Sequence, residues 1–122
     1  GVRIAVSARA AYDLYLTRTL KHAELHRAKG LGGAVDLFVN EKLDVLAGLR
    51  PALNEDVKRL PNMRIMDGRY TTVQQAVGTK PENKAAIGFL RNFVAEAKQS
   101  GLVAELIERH GVQGRLLVAS DD

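Results

Sequence analysis

The chain has 122 residues, no Cys, and 18 Lys plus Arg against 14 Asp plus Glu, a formal charge of +4. That length lets one hydrophobic core form without disulfides or metals, and the missing Cys excludes thiolate metal sites, Cys nucleophiles and redox dithiols. No window approaches the roughly 18 consecutive apolar residues of a membrane span, and basic residues spread among acids from Arg3 to Arg115, not interleaved with the aromatics, predict a solvated mixed surface and no nucleic-acid partner. The chain opens on Gly1, without a basic-then-apolar leader, and reads as a processed or excised protein.

In chain order, Val2-Arg3-Ile4-Ala5-Val6 alternates large apolar side chains and is rich in β-branched ones, which predicts a first strand. The small residues Ser7 to Ala11 then lead into a helix from Tyr12 to Lys21, with Tyr12, Leu16 and Leu20 at helical spacing. Ala23 to Ala28 predicts a weaker strand, and Lys29-Gly30-Leu31-Gly32-Gly33 predicts a breaker. A second helix fits Ala34 to Lys42, with Ala34, Leu37 and Phe38 on one face, followed by a buried strand over Leu43 to Gly48. This β-α-β-α-β rhythm predicts parallel strands joined by crossovers.

Leu49 to Pro61, with two prolines, predicts one short helix within a loop. Met63 to Met66 predicts another strand before the turn Asp67-Gly68, and Tyr70 to Val77 an extended segment. Pro81 then stands at or near the first turn of a helix whose stripe is Ala86, Phe89, Leu90, Phe93, Val94 and Ala97, closed by Gly101. Leu102 to His110 predicts a last helix ended by Gly111, and the tail Val112 to Asp122, containing Leu116-Leu117-Val118, reads as a strand or as loose chain. No internal repeat or low-complexity run is present.

The order of strand, helix and second helix running into Asn40-Glu41-Lys42-Leu43-Asp44-Val45-Leu46-Ala47-Gly48 resembles the second lobe of a bacterial extracellular solute-binding protein, of the family 3 type that serves ABC importers of polar amino acids. Gly1 to Val6 resembles the opening of that lobe, Tyr70 to Gly78 the segment crossing back to the first lobe, and Glu82 to Gly111 the paired terminal helices. The likeness runs along nearly the whole chain in order and spacing, through short motifs.

The resemblance implies an α/β fold of the periplasmic-binding-protein type II kind, a three-layer parallel or mixed sheet with flanking helices. It implies residues 1–72 as the second ligand-binding lobe and residues 73–122 as the crossing strand and C-terminal helices, with the first lobe preceding Gly1. It further implies hinge closure around a small solute held between two lobes, a membrane permease as partner, and a periplasmic or cell-surface location. No cofactor and no metal is expected.

Ligands of α/β lobes sit at the carboxyl ends of parallel strands, which singles out two turns. In the first, Ser7, Ala8, Arg9 and Tyr12 occupy the place where the family carries a hydroxyl-rich turn for the solute's carboxylate. Arg9 reads either as a carboxylate or phosphate fork or as a solvated loop residue. Tyr12 reads as a ligand hydroxyl or as core, and Asp13 as a helix-dipole or capping residue. The second turn is Gly48, Leu49 and Arg50. Family members place an Asp for the ligand's ammonium five residues beyond the strand Asp, and here that count from Asp44 reaches Leu49. A buried ammonium there has no charge partner, so a carboxylate or other acidic solute is favoured, with Arg50 its cation or else a surface residue. Asp44 itself reads as a strand-end residue. Gln75, with Gln74 beside it, falls in the crossing segment, where alternation turns one of the pair inward.

His22, His26 and His110 lack metal-ligand spacing and read as surface histidines. Gly30-Leu31-Gly32-Gly33 lacks the flanking residues of a phosphate loop and reads as a turn and helix start. The expected function is therefore the substrate-binding component of an importer rather than an enzyme. The alternatives on the same fold are a ligand-sensing domain of a signalling or regulatory protein and a cyclohexadienyl or arogenate dehydratase-like enzyme. Without a first lobe, the stripe around Phe89 and Phe93 is expected to repack or to pair two copies in a homodimer.

Overall fold

Alternation along Arg3-Ile4-Ala5-Val6-Ser7 sends Ile4 and Val6 to one side and Ala5 to the other, and all three are buried because this strand is central. The computed structural model describes residues 1–113 and 115–120. In it β1 (Arg3–Ser7) pairs in parallel with β2 (Glu24–Ala28), from Arg3↔Glu24 to Ser7↔Ala28. On its other edge β1 pairs in parallel with β3 (Val45–Leu46), through Ile4↔Val45 and Ala5↔Leu46. The chain divides into two compact units, Gly1–Val73 and Gln74–Asp122. The first holds this open three-stranded sheet, in the order β2-β1-β3.

Helices cover both faces of the sheet. The helix α1 (Ala11–Thr19) packs Tyr12 and Leu16 on Ile4, Val6 and Ala47. The helix α2 (Gly30–Asn40) brings Phe38 against Ala5 and Leu43 on the opposite face. The order of strands explains this: β1 to β2 steps one way, β2 to β3 steps back across β1, and right-handed crossovers in opposite directions lie on opposite faces. Each fully buried Val, Ile or Leu in these clusters contributes about 1.5–3 kcal/mol. The first unit is thus mixed α/β with a parallel sheet.

Several expectations need correction. The glycine run is the turn and helix start read from the sequence, but α2 begins inside it rather than at Ala34, because Gly30 at φ +72° turns the chain straight out of β2. The strand expected over Leu43–Gly48 pairs only at Val45–Leu46, with single backbone bonds on either side from Asp44 N to Arg3 O and Ala47 N to Ala5 O. Asp44 turns its carboxylate onto the Arg3 backbone N–H (2.8 Å) and guanidinium (3.3 Å), which holds that residue to the strand opening of β1. Those contacts, together with the aligned Arg3 charge, keep the Asp44 carboxyl below its ordinary range.

The helix expected between Leu49 and Pro61 is α3 (Arg50–Arg59), with Pro51 in its first turn. No strand forms over Met63–Met66 or Tyr70–Val77, so the sheet ends at β3. The Met66 and Gly68 carbonyls accept from the Arg50 guanidinium instead of a neighbouring strand. Gly68 takes φ +76°, as the turn there requires.

In the second unit α4 (Lys84–Gln99) packs on α5 (Leu102–Arg109), with Gly101 between them at φ +81°. Pro81 lies in a turn ahead of α4 rather than in its first turn. Phe89 and Phe93 stack with ring centroids 6.4 Å apart and stay 70% and 52% exposed. Leu116–Val118 forms no strand, only an isolated bridge of Leu116 with Gln113. The part of the tail at 114, 121 and 122 lies outside the described residues.

Candidate functional site

The site is built where β1 and β3 end side by side. In a sheet of order β2-β1-β3 the connections leaving β1 and β3 diverge, and the crevice between their carboxyl ends is where ligands of α/β sheets sit. The turn after β1 is Ser7-Ala8-Arg9-Ala10, held by Ala8 N to Ala28 O (2.9 Å) and Ala10 N to Ser7 O (3.3 Å). Ser7 is buried and Ala8 and Arg9 are exposed. Arg9 sits at φ +64°, a left-handed conformation that costs a side-chain-bearing residue about 1–2 kcal/mol.

Asp13 is what holds it there. Its buried carboxylate accepts the Arg9 backbone N–H at 2.8 Å and pairs with Arg27 Nε at 3.0 Å. Arg27 also donates to Thr17 Oγ1 at 2.7 Å, and that hydroxyl donates to the Asp13 carbonyl at 2.8 Å. Asp13 stands in the first turn of α1, but its carboxylate bonds ahead of the helix and ties the turn, α1 and β2 together.

The turn after β3 is Ala47-Gly48-Leu49 leading into α3. A Cβ on Gly48 would stand 3.2 Å from Leu53 Cδ2, so glycine lets the first turn of α3 close on the strand end. That helix starts uncapped, with no side-chain bond from Leu49 and no acidic residue in its first turn, and its N-terminal amides carry the positive end of the helix dipole.

Beside β3 lies a cavity of about 790 Å³, within the range that takes a small-molecule ligand. Its walls include Tyr12 and Leu16 from α1, Leu53 and Val57 from α3, and Tyr70 from the segment beyond. Gly48, Leu49 and Arg50 also line it, so four of the residues singled out in the sequence share one hollow: Tyr12, Gly48, Leu49 and Arg50. Ser7, Ala8 and Arg9 do not line it. Gln75 belongs to the second unit, where it lines a separate hollow with Pro81, Leu90 and Val94, and both it and Gln74 are exposed.

Tyr12 is 4% exposed and its hydroxyl is enclosed without a hydrogen-bond partner. Burial pushes this phenol above the ordinary tyrosine value, the neighbouring Ser7 hydroxyl tempers the rise, and the Asp13 carboxylate adds to it. The Tyr70 phenol is raised as well, first by burial and then by Tyr12. The Tyr70 ring leans on Tyr15, centroids 6.0 Å apart. The sequence reading missed Tyr70, Leu53 and Val57: they come together through a bend of the chain after α3 that no periodic pattern marks.

Among the described residues no group of three or more His, Asp or Glu is placed to hold a metal ion. His26 lies in β2, with Glu41 at 3.5 Å from Nδ1 and Glu24 at 3.8 Å from Nε2. No helix among the described residues is long and apolar enough to cross a membrane. Comparison with protein-family models, with curated proteins and with solved structures gives no match.

Proposed function

We propose that the chain is the ligand-binding lobe of the substrate-binding component of an ABC importer, taking a small polar or acidic solute in the periplasm or at the cell surface and presenting it to a membrane permease. The observation that supports this most directly is the side-by-side ending of β1 and β3 in parallel, with Tyr12, Gly48, Leu49 and Arg50 around one hollow. The order of elements along the chain, which resembles the second lobe of the family 3 solute-binding proteins, supplies the transport context. Contacts from a second jaw would stabilise a closed state, so this lobe alone holds its solute weakly.

The test is a titration of the chain with a panel of α-amino acids and dicarboxylates, followed by backbone amide shifts in NMR. A saturable response centred on Ser7–Tyr12 and Ala47–Arg50 is the expected result. No response to any solute, or shifts confined to the second unit, would overturn the reading. Formation of product from prephenate would replace it with a dehydratase-like enzyme.

A further inference from the structure

We infer that Met63–Met66 is a strap with two positions: the unpaired one described above, and a second in which it lies along the open edge of β3 as a fourth parallel strand and fills the hollow beside it. The inference concerns the fold of the first unit and does not depend on what the hollow binds.

An edge to receive the strap exists. β3 is terminal in the order β2-β1-β3, so its far side presents backbone N–H and C=O groups to no neighbouring strand. The strap borders the same hollow as that edge, which Val45 and Leu46 line together with Met63 to Met66.

The crossover that a parallel neighbour requires is also in place. From Leu46 through α3 to Met63 the chain exceeds the roughly dozen residues such a connection takes. Leu60, at the end of α3, packs on the cluster of Ala5, Phe38 and Leu43, the face that carries α2. A right-handed crossover that steps beyond β3, in the direction already taken from β2 to β3, runs over that same face.

The side chains of the strap suit the docked position. Met63 is 44% and Met66 64% exposed, and Ile65 is half-buried. In an extended strand Met63 and Ile65 fall on one face and Met66 on the other, so both faces carry apolar contacts, as a strand flanked by helices needs. Arg64 supplies the charge that suits a new sheet edge.

What holds the strap away is local. Asn62 at φ +65° and Gly68 at φ +76° turn the chain on either side of it, and the Met66 and Gly68 carbonyls accept from the Arg50 guanidinium. Arg50 is thus a latch that keeps the Met66 carbonyl out of a ladder.

The experiment releases the strap in two ways in the full chain: Arg50→Gln removes the latch, and Gly68→Ala, whose Cβ meets no atom within 4 Å, acts on the left-handed turn alone. Each should raise the docked population severalfold. NMR is expected to read this as strand-type Cα and Cβ shifts over Met63–Met66, amide-to-α-proton contacts from the strap to Val45 and Leu46, and deuterium exchange of the β3 amides slowed severalfold. Adding Ile65→Asp to either variant should cancel these changes, because it sets a charge on the apolar face of the docked strand. Circular dichroism verifies the fold of each variant, and Gly68→Ala keeps the test decisive if Arg50→Gln unfolds. Coil shifts retained by the strap in both single variants, or strand shifts without contacts to β3, would overturn the inference. Either result leaves the solute-binding reading standing, since the titration with amino acids and dicarboxylates tests that separately.

Discussion

Replacing Tyr12 with Phe deletes a single oxygen from the core and opens no cavity, so its effect isolates the cost of the enclosed hydroxyl. A buried hydroxyl without a partner costs about 1–3 kcal/mol relative to water, where it is hydrogen-bonded. The ring keeps its packing on Ile4, Val6 and Leu16, which leaves no compensating loss of apolar contact. Ser7 stands close enough to recover part of that cost, which puts the expected gain near 1 kcal/mol. For a domain of this size that is roughly 4–8 °C in melting temperature. Urea unfolding followed by circular dichroism should show a higher midpoint at unchanged slope. A variant less stable than the parent would refute the reasoning, since it would mean that the hydroxyl already has a partner that strengthens the fold.

Asp13→Ala removes the carboxylate that anchors Arg9, Arg27 and Thr17. Breaking a buried ion pair costs about 3–5 kcal/mol, but Arg27 is 42% exposed and regains water, so about 2 kcal/mol is expected from urea unfolding. Arg9→Gly relieves the left-handed backbone at that position and, after the extra chain entropy of glycine, should raise stability by about 0.5 kcal/mol in the same assay. With both Tyr12 and Tyr70 raised in the folded state, the unfolded chain ionises first as pH climbs. Their contribution is complete below about pH 10 and is lost as pH rises through the folded values. Urea midpoints measured from pH 8 to 11 should therefore stay level and then fall, with a smaller fall in Tyr12→Phe; an unchanged fall in that variant would refute the assignment.

The first unit was readable wherever a residue's neighbours in sequence are also its neighbours in the core. Ile4 and Val6 alternate because β1 is central, and Tyr12 and Leu16 recur at one helical turn because α1 lies on them. Pro51 marked α3 for the same local reason. Met63 to Met66 alternates almost as well as β1 does, yet forms no strand, because alternation specifies faces and supplies no edge to pair with. The site was half legible. Gly48, Leu49 and Arg50 follow from counting to the end of a strand, but a hollow is made by side chains that fail to meet, and Tyr70 reaches it from the far side of a bend. Arg9 and Arg50 look alike in sequence, each after a strand. Only Arg50 faces the hollow, since the carboxylate of Asp13 fixes the Arg9 turn elsewhere.

The β1–β3 seam is only two residues long, against five for β1–β2. Local opening is governed by how many bonds must break together, so the amides of β3 should exchange with deuterium well before those of β2, without global unfolding. A wall fastened by so short a stitch can breathe, and a guest can reach the hollow behind it through that fluctuation while the rest of the sheet stays shut.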